Sequence, residues 1–193
     1  MKLGIAGFMG SGKSTAALFL AQTFGWYLID ADREAKVVME SSLSIQQGLS
    51  DTFGVVSNNQ IDYLALGRIV FSNREQLLRL NSLVHPPLKD HLETLQQEAL
   101  SQGKTVLIDG ALLPLWDESN LIDKGLWITA GESLRIERVA QRSGLSLGAV
   151  EERVVRQYEI LLSPEDLRWQ SVENSGSLEE LQQKVYQWGA QFE

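Results

Sequence analysis

Residues 7–14 read Gly-Phe-Met-Gly-Ser-Gly-Lys-Ser, the pattern G-x-x-x-x-G-K-[ST], and no other stretch restricts the possible folds as strongly. The glycines let successive backbone N–H groups turn inward around one anion. The lysine ammonium reaches the outer phosphates of a nucleoside triphosphate, and the Ser14 hydroxyl can ligate Mg2+. Such a loop works only between a strand and a helix. Lys2 to Ala6 reads as a short buried strand, and Ser14 to Phe24 as a helix stopped by Gly25. The start of that helix adds unbonded N–H groups and partial positive charge to the phosphate site. Gly7, Gly10, Ser11, Gly12, Lys13, Ser14 and Thr15 are therefore the candidate nucleotide-binding residues.

The rest of the chain alternates strand and helix signals, which predicts a parallel sheet. Further strands are expected at Trp26 to Ile29, Thr105 to Ile108, Leu126 to Thr129 and, more weakly patterned, Trp169 to Val172. The two central runs are apolar on both faces, as a sheet covered by helices on each side requires. Between Asp62 and Gln102 the pattern is helical, with an interruption expected at His85, Pro86 and Pro87. Residues 60–103 thus read as a helical insertion in a single domain of residues 1–193. An insertion at the carboxyl ends of the strands suits acceptor binding.

Two acidic positions follow strands. Asp30 and Asp32 close the second one, with Asp30 assigned as a helix cap and Asp32 as the group that accepts or orients a hydroxyl proton. Asp109 ends the Thr105 to Ile108 strand, where an acid near Mg2+ is expected, so Ser14 and Asp109 are the candidate metal ligands. Arg135, Arg138, Arg142, Arg153 and Arg156 lie within 22 residues that contain no lysine. Their planar guanidinium groups suit phosphate oxygens, although a solvated face paired with Glu132, Glu137, Glu151 and Glu152 explains them equally well.

Composition narrows the partners. Seventeen basic against 25 acidic residues give a net charge of −8, which disfavours a broad nucleic-acid surface. With no cysteine there is no disulfide, thiolate metal site or cysteine nucleophile. His85 and His91 are spaced wrongly for a helical metal pair and read as packing or surface residues. No apolar run has transmembrane length, and the first strand begins at residue 2, so a cytoplasmic protein without a membrane partner is expected, with a monomer favoured.

Taken together, the loop at 7–14, the run Leu28-Ile29-Asp30-Ala31-Asp32-Arg33-Glu34-Ala35-Lys36-Val37-Val38, Val70-Phe71, His85-Pro86 and Asn174-Ser175-Gly176 resemble the dephospho-coenzyme A kinase family. The resemblance implies a P-loop kinase fold with a central parallel five-stranded sheet. It also implies transfer of the ATP γ-phosphate to the ribose 3′-hydroxyl of dephospho-coenzyme A. By the same resemblance Asp32, Lys13 and Arg138 are catalytic, Arg142 and Asn174 bind ATP, residues 132–160 form a lid, and the insertion holds coenzyme A. The chain departs from the family at Phe8, where a glycine is usual, at Gly110 to Leu115, at Ser143, and at Arg168 and Trp169. Another small-molecule kinase of this fold and a non-catalytic nucleotide-binding paralogue are the alternative readings. Phe8 is expected at negative φ, with its ring directed to the acceptor or the helical roof.

Overall fold

The computed structural model describes every residue except 145, 160 and 162, and the side chains of 117–119 and 156 are likewise outside the description. Strand β1 (Lys2–Gly7) leads into helix α1 (Lys13–Phe24), strand β2 (Tyr27–Asp30) and helices α2 (Ala31–Ser41) and α3 (Leu43–Phe53). A small hairpin of β3 (Val56–Ser57) and β4 (Gln60–Ile61) precedes helices α4 (Tyr63–Ser72) and α5 (Arg74–Ser101). There follow β5 (Val106–Asp109), a 3-10 helix (Leu113–Ser119), β6 (Lys124–Thr129), α6 (Glu132–Ser143), α7 (Leu147–Tyr158), β7 (Trp169–Glu173), α8 (Leu178–Gly189) and a last 3-10 turn (Ala190–Phe192). The chain divides into one unit of residues 1–30 and 95–193 and a second of residues 31–94.

In the first unit all five long strands pair in parallel, in the order β2-β5-β1-β6-β7. Leu3 and Ile5 of β1, Leu107 of β5, Leu126 and Ile128 of β6 and Val172 of β7 pack against Ala16, Ala17 and Leu20 of α1 and Leu181, Val185 and Trp188 of α8. Each of the larger side chains contributes roughly 1.5–3 kcal/mol by leaving water. On the other face, a β-carbon at Gly4 would lie 2.8 Å from Ile122 Cγ2, so glycine lets the segment after the first 3-10 helix settle onto the sheet. The buried Gln96 side chain fixes that segment by donating to the Leu121 carbonyl at 2.7 Å. The five strands stand where the sequence predicts them, with ends displaced by a residue or so.

The second unit is helical apart from its hairpin. The hairpin turn places Asn58 and Asn59 at φ 50° and 59°, the left-handed pair that a tight two-residue turn needs. The helical stretch breaks elsewhere than the sequence suggests. Helix α5 continues through Pro86 and Pro87, and the interruption falls at Asn73, which is extended at φ −143° and ψ 117°. Its Oδ1 accepts from the Glu75 N–H at 2.8 Å and the Gln76 N–H at 3.3 Å, capping α5. Through the prolines the buried positions Leu77, Val84, Leu88, Leu92, Gln96 and Ala99 keep a continuous stripe. Pro86 is exposed, so the freed carbonyl on that side meets water rather than a dry core. Among the described residues no helix is long and apolar enough to cross a membrane.

Candidate active site

The phosphate loop leaves the centre of the sheet at Gly7. Gly10 and Gly12 take φ of 79° and 97°, and a β-carbon would strike the Arg135 carbonyl at the first and the Asn174 side chain at the second. Both positions therefore require glycine for conformation and for space. The Ser11 N–H donates to the Phe8 carbonyl at 3.1 Å and closes a turn. The Ser11 hydroxyl is buried against Gly7, with no hydrogen-bond partner among the described residues. Helix α1 begins at Lys13 with Gly12 at its cap position, which supplies no side-chain bond. The first N–H groups of the helix thus have no carbonyl of their own to meet. A side-chain-free cradle and these N–H groups fit an anion with several oxygens, such as a nucleotide polyphosphate.

Asp109 is the last residue of β5 and only 6% exposed; in register it lies beside Ile5 of β1 and Asp30 of β2. Asp30 and Asp109 therefore sit side by side at the carboxyl edge of the sheet, the edge from which the phosphate loop also leaves. Ser14 is exposed in the first turn of α1. Among the described residues no group of three or more His, Asp or Glu side chains could hold a metal by itself. Mg2+ bound with a nucleotide commonly takes only one or two protein oxygens beside phosphates and water, so Ser14 and Asp109 suit it. Asp32, in the first turn of α2, belongs to the second unit and is exposed. There, Glu34 of the same turn bonds His91 Nε2 at 2.8 Å.

Three segments of the first unit bear on the loop. Asn174, just after β7 and 7% exposed, donates through Nδ2 to the Ser11 carbonyl at 2.8 Å. Its own carbonyl accepts from Arg138 Nη1 of α6 at 3.3 Å. Arg142 is exposed in the last turn of α6, and the side chain of Arg156 lies outside the described ones. Gln157 of α7 accepts the Met9 N–H at 2.6 Å. Sequence reasoning passes over Gln157, because a glutamine in a helical run carries no signature of a distant backbone partner.

Phe8 has a negative φ, since among the described residues Asn58, Asn59 and Asn120 are the non-glycine ones at positive φ. Its ring does not take the direction expected of it. It packs edge-on against Trp127 at 5.2 Å and Tyr158 at 4.8 Å, with the Arg135 guanidinium 4.9 Å from its centre. The apolar face of Trp127 and the paired cation explain the preference: the ring gains burial and a charge–quadrupole contact inside the sheet unit. Tyr158 also bonds Arg135 through its hydroxyl. Burial first, then a hydrogen bond to Glu132, pushes its pKa up, with Arg135 pulling the other way, so the phenol stays protonated at neutral pH. The other departures have local reasons. Arg168 forks onto Asp166 at 2.8 and 2.9 Å, and Trp169 lies over Gly125 of the neighbouring strand.

Comparison with known proteins agrees with this geometry. The model of the family described as CoaE, dephospho-CoA kinase, matches residues 1–179. A dephospho-CoA kinase of Carboxydothermus hydrogenoformans is 33% identical over 188 residues, covering 95% of this chain and 90% of that protein. One from Staphylococcus aureus is 32% identical over 161 residues, covering 82% and 77%. Among solved structures, the Thermus thermophilus protein TT1252 superposes with a TM-score of 0.69 at 31% identity, over 99% of this chain and 97% of that one.

Proposed function

The chain belongs to the dephospho-CoA kinase family, and from that membership we propose that it moves the γ-phosphate of ATP onto the ribose 3′-hydroxyl of dephospho-coenzyme A, the last step of coenzyme A synthesis. The observation that carries the reading is the glycine cradle running into α1 beside a buried Asp109. That cradle is made for a polyphosphate, and the family supplies the acceptor.

In this reading the N–H groups from Gly10 to Thr15 and the Lys13 ammonium hold the β- and γ-phosphates, and Gly7 gives the loop its exit from β1. Asp32 takes the proton of the acceptor hydroxyl as its oxygen attacks the γ-phosphorus. The bond from that phosphorus to the β–γ bridging oxygen breaks, and ADP leaves with the electron pair. Arg138 stabilises charge on the transferring oxygens, while Arg142 and Asn174 bind the nucleotide from the α6 and β7 sides. A bound Mg2+, held through Ser14 and Asp109, would neutralise phosphate charge. Residues 132–160 act as a lid that keeps water from the γ-phosphate, and residues 60–103 receive the coenzyme A moiety. The same reading has a cytoplasmic monomer working on two small molecules, and the net charge of −8 gives nucleic acid no place in it.

Release of ADP measured with and without dephospho-coenzyme A tests the proposal, together with identification of the phosphorylated hydroxyl. Turnover dependent on that acceptor, with phosphate on the 3′-oxygen, is expected. ATP binding with no transfer to it, or transfer to a different alcohol, would overturn the assignment.

A further inference from the structure

We propose that Arg135 is a positioning residue of the phosphate loop: a permanent positive charge, buried behind Phe8 and Met9, whose counter-charge is the polyphosphate of the bound nucleotide. The inference rests on the reading that this loop holds nucleotide phosphates, and it assigns to α6 a role apart from Arg138 and Arg142.

Arg135 is 1% exposed, which is rare for a guanidinium that lacks an acid. Its carbon lies 4.9 Å from the centre of the Phe8 ring and 5.1 Å from that of Tyr158, and the two ring centres are 4.8 Å apart, so the cation sits beside an edge-packed pair of aromatic rings. Its donors go to neutral acceptors: Nε to the Ala130 carbonyl at 3.2 Å, Nη1 to the Met9 carbonyl at 3.4 Å, and Nη2 to the Tyr158 hydroxyl. Among the described residues no carboxylate forms an ion pair with it. Glu132, which is exposed, reaches the Tyr158 hydroxyl instead.

The charge is also fixed relative to the loop. Met9 packs into the small core of Val139, Val150 and Val154 between α6 and α7, and its N–H is held by Gln157. Gly10 lies against the Arg135 backbone. Phe8, standing where the family usually has glycine, provides one of the two rings beside the guanidinium, so the aromatic departure and the buried cation form one device.

A cation in this position is costly unless something answers it. An apolar side chain would fill the same space without the desolvation penalty. What the guanidinium adds is potential, and a buried charge is screened by salt far less than an exposed one. Arg135 is separated from the cradle by Phe8 and by the Met9 carbonyl that it bonds, so it acts on the ligand through the loop and through space, unlike Lys13. Its contribution must then grow with the negative charge of the ligand.

Calorimetric titration of ATP, ADP and adenosine into the wild type and into Arg135→Met, Arg135→Gln, Arg135→Lys and Phe8→Leu tests this. The two neutral variants should weaken ATP about tenfold, ADP less and adenosine hardly at all. Lysine should restore most of the loss. Phe8→Leu, which leaves the charge in place, should keep the preference for ATP over adenosine. Equal losses for all three ligands, or the same loss in the lysine and neutral variants, would overturn the proposal. Circular dichroism identifies any variant that does not fold. If neither neutral variant folds, the lysine variant decides, since collapse of its ATP-to-adenosine ratio would contradict a role for charge. A wild type that binds ATP no better than adenosine would instead sink the loop assignment itself.

Discussion

The side-chain amide of Asn174 donates to the carbonyl of Ser11 at 2.8 Å, tying the end of the outermost strand to the crown of the phosphate loop. Because the Asn174 backbone N–H in turn donates to Thr129 at 2.7 Å, the brace is anchored in the β6–β7 edge of the sheet. The loop is thereby shaped by residues far from it in sequence.

Asn174→Leu removes this donor and leaves the Ser11 carbonyl buried beside a bulkier group. A loss of about 1–3 kcal/mol in stability is expected, with a several-fold higher KM for ATP and a smaller change in kcat. Urea unfolding and steady-state kinetics on one preparation check it. An unchanged KM would mean that the loop holds its shape without the brace.

Lys13→Ala should lower kcat by two orders of magnitude or more, equivalent to about 3 kcal/mol of barrier, while the fold survives. Lys13 is only half-buried at the start of α1, so its removal leaves no packing defect. Single-turnover assays with folding followed by circular dichroism provide the check.

For Asp32→Asn, shape is kept and the basic oxygen is lost. The expected outcome is a large drop in kcat with ATP affinity nearly unchanged, read by calorimetry and rapid-quench kinetics. Lost ATP binding with intact chemistry would reassign Asp32 to the nucleotide.

His85 makes the stability of the helical unit depend on pH. Burial, reinforced by the Lys89 ammonium one turn later, lowers its pKa from 6.5 to about 4. Between those two values the unfolded chain takes up a proton that the folded chain refuses, so stability falls as pH drops through that window and levels off below it. Replacing His85 with Asn should reduce the loss between pH 7 and 4.5 by roughly 2 kcal/mol, allowing for partial exposure of the ring. Urea melts at the two pH values measure it, and parallel losses in both proteins would remove His85 as the cause.

Where local chemistry decides the outcome, the sequence is a sufficient guide. Val106-Leu107-Ile108 is apolar on both faces and ends in Asp109, so both a central strand and an acid at its carboxyl end are legible. The loop glycines are legible because no other residue takes their conformation. Pro86 and Pro87 mislead for the opposite reason: their local cost is real, but the buried stripe from Leu77 to Ala99 outweighs it. The true break carries its own signal, Asn73 followed three residues later by Gln76, a cap pattern weaker to the eye than two adjacent prolines. The Phe8 ring, the Gln157 bond and the Asn174 brace were out of reach, since each depends on a partner over a hundred residues away.

Helix α1 lies at the centre of the sheet's packing, yet its first turn has only Gly12 before it and no side chain to satisfy its amides. A conventional Ser, Asp or Asn in that place stabilises a helix by about 1 kcal/mol. In the proposed reading the position is left to the bound nucleotide, which makes ATP a structural component as well as a reactant. Its resistance to unfolding then rises with the adenylate supply, by about 2.7 kcal/mol at a hundredfold excess over Kd.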